Sequence, residues 1–183
     1  MKKYLALLAA VLLLGGCGCG GQTAGRCTAE RAPEIELPTL TVTAGEASAA
    51  ASRGTSDWSI RNGEHGTGAT FCCGHPLDDE SAPWLDVPAG DTAALEFSDP
   101  PDEISAVFWP ESARDDVAHA ESKAAEVTLT ALTPQPGRNV YELTASWDRE
   151  TYSGTVRYVF CLDVPEDQTS PASLGSRLEE ITP

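Results

Sequence analysis

The segment FCCGHPLDDE, Phe71 to Glu80, concentrates the reactive groups of this chain: adjacent thiols at Cys72 and Cys73, then His75, then Asp78, Asp79 and Glu80. Thiol, imidazole and carboxylate are the ligands of zinc, and paired thiols carry redox chemistry. The spacing suits neither. A zinc site folds the chain around a tetrahedron through spacings such as C-x-x-C. Neighbouring residues of a strand point to opposite faces, so Cys72 and Cys73 do not share one ion with His75. A redox pair wants the same absent spacing, and a bridge between adjacent cysteines strains the backbone. His65, in NGEHGTG, and His119, in a polar stretch, have no nucleophile at a recognisable distance along the chain, and the G-x-S-x-G, H-E-x-x-H and P-loop patterns are absent. Asp78, Asp79, Glu80, Asp99, Asp102 and Glu103 are the oxygen donors calcium seeks. They lack the spaced carboxylates and glycine of a calcium loop and read as solvated turns. No catalytic residue, metal site or cofactor is expected.

Where the chain works is written at its start. Lys2 and Lys3 precede an apolar run of 11 residues, Tyr4 to Leu14, too short for a bilayer that requires about 20 and typical of an export signal. Its end, Leu14-Gly15-Gly16-Cys17, resembles the lipobox of bacterial lipoproteins: an aliphatic residue, two small residues, then cysteine. The resemblance implies a diacylglycerol on the Cys17 sulfur, cleavage after Gly16, and Cys17 as the first mature residue; a plain secretory signal with a chance cysteine is the alternative. A single acyl chain, at about 0.8 kcal/mol per buried CH2, binds reversibly, whereas two chains hold firmly. The expected location is the outer face of the cell membrane, with the lipid on Cys17 as the anchor.

Charge narrows the partners. The 183 residues carry 28 acids and 12 Lys or Arg, a net charge of −16, and removal of the leader takes Lys2 and Lys3 but no acid, leaving −18. Nucleic acid and anionic lipid surfaces both require clustered Lys and Arg, so neither is expected as a partner. The acidity reads as solubility, with a basic partner or a wall-bound cation as the sharper alternative. Six cysteines are present, at 17, 19, 27, 72, 73 and 161. With lipid on Cys17, five remain, and an odd number cannot all pair within one chain. Disulfides persist outside the cytoplasm, so structural bridging is the default role.

The elements that must position these groups are short strands. Residues 1–16 form the leader, 17–34 a Gly-rich tether, 35–164 one β-sandwich domain, and 165–183 a polar tail expected to be disordered. In NVYELTASWD, Tyr141, Leu143, Ala145 and Trp147 alternate with a largely polar set; after the turn RETYSG, Val156, Tyr158, Phe160 and Leu162 repeat the pattern in TVRYVFCLDV. Those residues are the expected core. Cys161, on the opposite face with Thr155, Arg157 and Val159, lies outside it. Asn62-Gly63 signals a hairpin, with Trp58 and Ile60 before it and Phe71 after it. Glu111 to Glu126 has helix formers but only Val117 as a large apolar residue, and reads as a polar loop or short exposed helix. Seven to nine strands in the domain predict an all-β, antiparallel, immunoglobulin-like sandwich.

The order SDWSI, CCGHPLDD, LEFSDPPDEISAVFWP and VYELTASWDRETYSGTVRYVF resembles a group of small lipoproteins from clostridia and related Gram-positive bacteria. The resemblance spans about Ser56 to Leu162 and implies an extracytoplasmic sandwich domain with no assigned biochemical role. Cys72-Cys73 departs from it, where a small residue and an acid are the usual pair.

If Phe71 faces the core then Cys73 does too, which puts Cys72 on the outer face with Cys161. A Cys72–Cys161 bridge, closing a loop of about ninety residues and contributing roughly 3 to 5 kcal/mol, is the pairing expected. Cys19 and Cys27 pair within the tether or join a second molecule. Of Trp58, Trp84, Trp109 and Trp147 at least three belong in the core. Trp84, between Pro83 and Leu85, is the candidate for exposure to a ligand, together with His75. The function expected is a non-catalytic binding or interaction module that presents loops to an envelope protein or polymer. An enzyme or enzyme accessory domain with a loop-borne site, and a redox-sensing lipoprotein using Cys72 and Cys73, are the alternatives.

Overall fold

The computed structural model describes residues 36–62 and 65–166. Cys17, Cys19, Cys27, the tether and all but the first two residues of the expected tail lie outside them. Eleven strands follow one another: β1 (Leu40–Ala44), β2 (Ala47–Ala50), β3 (Ser52–Asn62), β4 (His65–Phe71), β5 (Trp84–Asp86), β6 (Ala93–Phe97), β7 (Glu103–Pro110), β8 (Lys123–Thr128), β9 (Ala131–Thr133), β10 (Gly137–Asp148) and β11 (Tyr152–Val164). They join in the order β2-β1-β6-β9-β8-β7-β10-β11-β3-β4, with β5 beside β11. Every pairing is antiparallel except β5 with β11. The described residues therefore form an all-β, mostly antiparallel fold, as the alternation predicts.

The strand count exceeds the seven to nine expected, and the excess has a local cause. Ala47–Ala50 has no β-branched or aromatic residue to announce it, and becomes β2 by pairing with β1. AEVTLTALT, one run in the sequence, divides into β8 and β9, which pair with each other.

The long hairpin β10–β11 is in register from Gly137 opposite Val164 to Asp148 opposite Ser153. Tyr141, Leu143, Ala145 and Trp147 of β10 and Val156, Tyr158, Phe160 and Leu162 of β11 are buried on one face. They pack with Val42 of β1, Leu95 of β6 and Leu132 of β9 in a single cluster, so the sheet curls until its β1–β6–β9 end covers the β10–β11 end. Each large apolar side chain so buried contributes about 1.5 to 3 kcal/mol. Ring pairs fix the packing: Tyr141 stacks on Phe160 at 5.7 Å, and Trp58 stacks on Tyr152 at 5.2 Å while meeting Trp147 edge-on at 5.4 Å. Gly154 admits this arrangement, because a Cβ there would lie 2.8 Å from Trp58 Cε3 and would overlap the Asp57 carbonyl oxygen.

The opposite face of β10–β11 is also covered. Val140, Val159, Cys161 and Trp109 form a second cluster with Leu77 and Ala82, against which Ala113 and Val117 pack. Its lid is the stretch between β4 and β5 together with a 3-10 segment, Glu111–His119, that is interrupted by non-helical dihedrals at Asp116. Of the polar run Glu111 to Glu126, expected as a loop or short exposed helix, residues up to His119 are this segment, whereas Lys123–Glu126 pair with β7 and β9 as part of β8. The 3-10 segment buries no residue fully, yet lends two apolar side chains to the lid.

Candidate functional site

From Phe71 the chain leaves the sheet edge and crosses the outer face, held by contacts that use its reactive groups. The Cys73 N–H donates to Thr55 Oγ1 (3.1 Å) and its thiol to the Arg53 carbonyl (3.8 Å). His75 caps the 3-10 turn Pro76–Asp78: its Nδ1 accepts from the Leu77 N–H at 3.2 Å, which places the proton of the neutral ring on Nε2. The edge-on contact with Trp109, 5.2 Å between centroids, holds the imidazole in place. Asp79 Oδ1 accepts from the Ser81 N–H (2.9 Å) and hydroxyl (2.6 Å). Arg114, from the 3-10 segment, donates to the carbonyls of Leu77 (2.6 Å) and Asp79 (3.4 Å) and reaches Cys161 Sγ at 3.7 Å. A guanidinium with five donors suits this multiple clasp.

Between this segment and the start of β3 lies a cleft of about 390 Å³, lined by Arg53, Cys73, His75, Asp79, Glu142 and Val159 among others. The β3–β11 ladder shifts register between Val156 and Tyr158, and Arg53, opposite Tyr158, meets the cleft through its carbonyl, which accepts from the Cys73 thiol. Bulges of this kind re-aim side chains and recur beside functional sites. Glu142 stands on the outer face of β10 with its side chain 12 % exposed, and its ion-pair partner is the half-exposed Arg157 at 3.5 Å. Cleft and clasp together form a preshaped recess of mixed charge on a rigid sheet.

A second recess, about 450 Å³, lies where the chain enters the domain, between Leu37, Trp58, Ile60, Asp99 and Tyr152. Here Asp99 is occupied: its carboxylate accepts from the Tyr152 hydroxyl at 2.5 Å and its carbonyl from Trp147 Nε1 at 3.1 Å. The hydrogen bond to Asp99 raises the Tyr152 pKa. Asp102 binds the Arg149 guanidinium and the Asp148 N–H, and these bonds hold its carboxyl below the ordinary value. Asp79, Asp99 and Asp102, three of the acids that resemble calcium donors in the sequence, thus serve as internal acceptors. Among the described residues no group of three or more His, Cys, Asp and Glu side chains is arranged to hold a metal, and no helix is long and apolar enough to cross a membrane.

The structure separates the residues expected to bridge. Cys72, Cys73 and Cys161 are free thiols, the first two exposed and the third buried. Phe71 is opposite Ser56, and Ser56 is opposite Val156. Cys72 is therefore two strands away from β11 and well short of the level of Cys161, roughly 10 Å across the sheet and roughly 13 Å along it. A disulfide needs Cα atoms within about 7 Å, so the expected Cys72–Cys161 bridge is not formed. The alternation correctly put Cys161 outside the main core; it missed the second core that covers it. Burial pushes its thiol up to about 11, against the pull of Arg114.

Three tryptophans are core residues: Trp58 at 4 %, Trp109 at 6 % and Trp147 at 2 % exposure. Trp84, the candidate ligand-facing ring, is half-buried, with the Arg138 guanidinium 4.2 Å above its centroid. Arg138 in turn bridges Glu111 (3.2 Å) and Asp163 (3.5 Å). His75 does line the cleft. Arg53 and Glu142 line it too, and the sequence marks neither: an Arg and a Glu in alternating strands read as solvated positions. No family model, curated protein or solved structure matches the chain.

Proposed function

We propose that this chain is a lipid-anchored, non-catalytic interaction module of the cell envelope, an immunoglobulin-like sandwich held on the outer face of the membrane through a diacylglycerol on Cys17. The lipobox and the segment order shared with small Gram-positive lipoproteins support the location. Its role as a binder rests on one observation: the reactive groups between Cys73 and Ser81 are engaged in contacts of the fold. His75 Nδ1 and Asp79 accept from Leu77 and Ser81 of their own segment, and the Cys73 thiol donates to the Arg53 carbonyl of β3, which leaves a fixed cleft whose walls present charge and hydroxyls. A histidine–carboxylate pair of catalytic type exists only loosely among the described residues. His119 meets Asp116 at 2.8 Å, but the two side chains are 83 % and 66 % exposed, outside any recess that excludes water.

Replacing Cys17 with serine in producing cells tests the anchor. The wild-type protein is expected to sediment with membranes and to carry the mass of a diacylglycerol on its N-terminal peptide; the variant is expected to retain its leader or be released, without that mass. Normal maturation of the variant with unchanged sedimentation would overturn the reading. The exposure of both Cys72 and Cys73 favours a redox sensor as the second reading. Thiol counting by mass spectrometry before and after oxidant decides it, and no change at either cysteine rejects it.

A further inference from the structure

The sheet ends at β4, and that strand carries a row of backbone groups that the fold does not use. Among the described residues β4 pairs with β3 alone. Arg61 of β3 donates its N–H to the carbonyl of Thr151, just before β11, so it does not bond Gly66, the β4 residue opposite it. Bonded and non-bonded pairs alternate along an antiparallel ladder. Ser59 with Gly68 and Asp57 with Thr70 are therefore non-bonded pairs too, and Gly66, Gly68 and Thr70 turn their N–H and C=O groups outward. All three residues are exposed, and no proline or bulge blunts the edge. The two faces beside this row differ. Thr67, Ala69 and Phe71 lie on the core side, opposite Ile60, Trp58 and Ser56, and Phe71 is half exposed. On the other side stand Asp57 and Arg61. The Arg61 guanidinium is taken by the Asp148 carboxylate and the Arg149 carbonyl, each at 2.7 Å. Asp57 is exposed and makes no ion pair among the described residues.

We propose that β4 is a docking edge for a partner protein and that the partner supplies a basic, extended segment, added to the sheet as a further antiparallel strand. In this mode main-chain bonds hold the strand and its alternate side chains select it. Charge decides the occupant. A second copy carries the same net charge of −16 and is repelled, whereas a basic segment is drawn to the domain. Residues directly opposite one another share a face of the sheet. Partner residues opposite Gly66, Gly68 and Thr70 therefore lie on the Asp57 side, where basic side chains belong. The residues between them lie over Ala69 and Phe71, where apolar side chains cover the exposed ring. The partner's signature is thus a short strand with basic and apolar residues in alternation. This inference rests on the reading of the domain as an interaction module, and it names one docking surface and the class of partner.

The test titrates the full-length mature protein, in a non-ionic detergent, with a fluorescent heptapeptide alternating lysine and valine, and follows anisotropy against protein-free micelles. Saturable binding is expected, roughly tenfold or more tighter than that of the same peptide with glutamate in place of lysine. Two further peptides keep the charge and change the backbone. N-methylation of three lysines removes N–H groups that face β4 and is expected to weaken binding roughly tenfold or more, whereas N-methylation of the three valines is expected to leave it within about threefold. Thr70→Pro removes an outward N–H that β3 does not use, a substitution that edge strands accept, and is expected to weaken binding roughly fivefold or more. Overturning results are no saturable binding, a glutamate peptide that binds as tightly, any other pattern between the two methylated peptides, or full affinity in Thr70→Pro. The methylated pair keeps the test decisive if Thr70→Pro folds poorly. Release of the Cys17→Ser protein from membranes and the thiol count are read separately, so failure of the strand leaves the lipid-anchored module standing, and the reverse.

Discussion

At the scale of single residues, the three thiols of the described domain have different fates set by their surroundings. Cys72 and Cys73 follow an edge strand and are exposed, whereas Cys161 is sealed beneath Leu77, Ala82 and Trp109. Only the thiolate attacks an alkylating agent, and burial moves the Cys161 pKa from about 9 to about 11. Brief treatment of the folded protein with iodoacetamide should label Cys72 and Cys73 and spare Cys161 until denaturant is added, as peptide mass mapping would show. The same burial makes stability depend on pH. Because the folded pKa is raised, the unfolded chain loses the proton first, so the stabilisation is whole below about 9 and declines as pH rises towards about 11. Tyr158, also raised by burial from its ordinary value of about 10, adds to the decline from about pH 10 upward. Denaturant titrations across that window should therefore show a smaller fall in Cys161→Ala than in wild type; an equal fall would contradict the assignment. The sequence marked these thiols as unusual but not their fates, because Val140, Val159 and Cys161 lie on a face whose other members, Glu142, Thr144, Thr155 and Arg157, are polar.

Among elements, the hairpin β10–β11 was legible and the lid was not. Strict alternation over Tyr141–Trp147 and Val156–Leu162 names the buried set of the main core, since a half-buried strand writes its two faces into a period of two. A crossing segment with caps and turns has no period, and its attachment depends on Arg114, thirty-seven residues from Leu77 along the chain. Arg114→Met keeps much of the side-chain volume and removes the donors, leaving the carbonyls of Leu77 and Asp79 without them. A loss of roughly 1 to 3 kcal/mol is expected. Hydrogen exchange should rise selectively in the residues from 75 to 83, and uniform exchange would show that Arg114 is no clasp. Gly154→Ala tests the other face. The added methyl meets Trp58 and the backbone of Asp57, and overpacking of this kind costs about 1 to 3 kcal/mol. Its melting temperature should fall together with the near-ultraviolet circular dichroism of the Trp58–Tyr152–Trp147 cluster.

For the molecule as a whole, charge and sheet edge oppose each other. β4 ends the sheet, and Gly66 to Phe71 contains no charge and no proline, while Phe71 is 50 % exposed. Edges that lack charge, proline or a bulge are templates for another strand. The net charge of −16 opposes such pairing, a long-range repulsion that weakens as carboxylates gain protons or salt screens them. Association should therefore begin as pH falls towards the isoelectric point near 4.3, and it should begin at β4. Thr67→Glu and Ser112→Glu add the same charge, the first on the edge opposite Ile60, the second on the exposed 3-10 segment. Light scattering during acidification should show a clear delay in onset for Thr67→Glu relative to Ser112→Glu. Equal onsets would mean that net charge alone governs association and that the bare edge has no part in it.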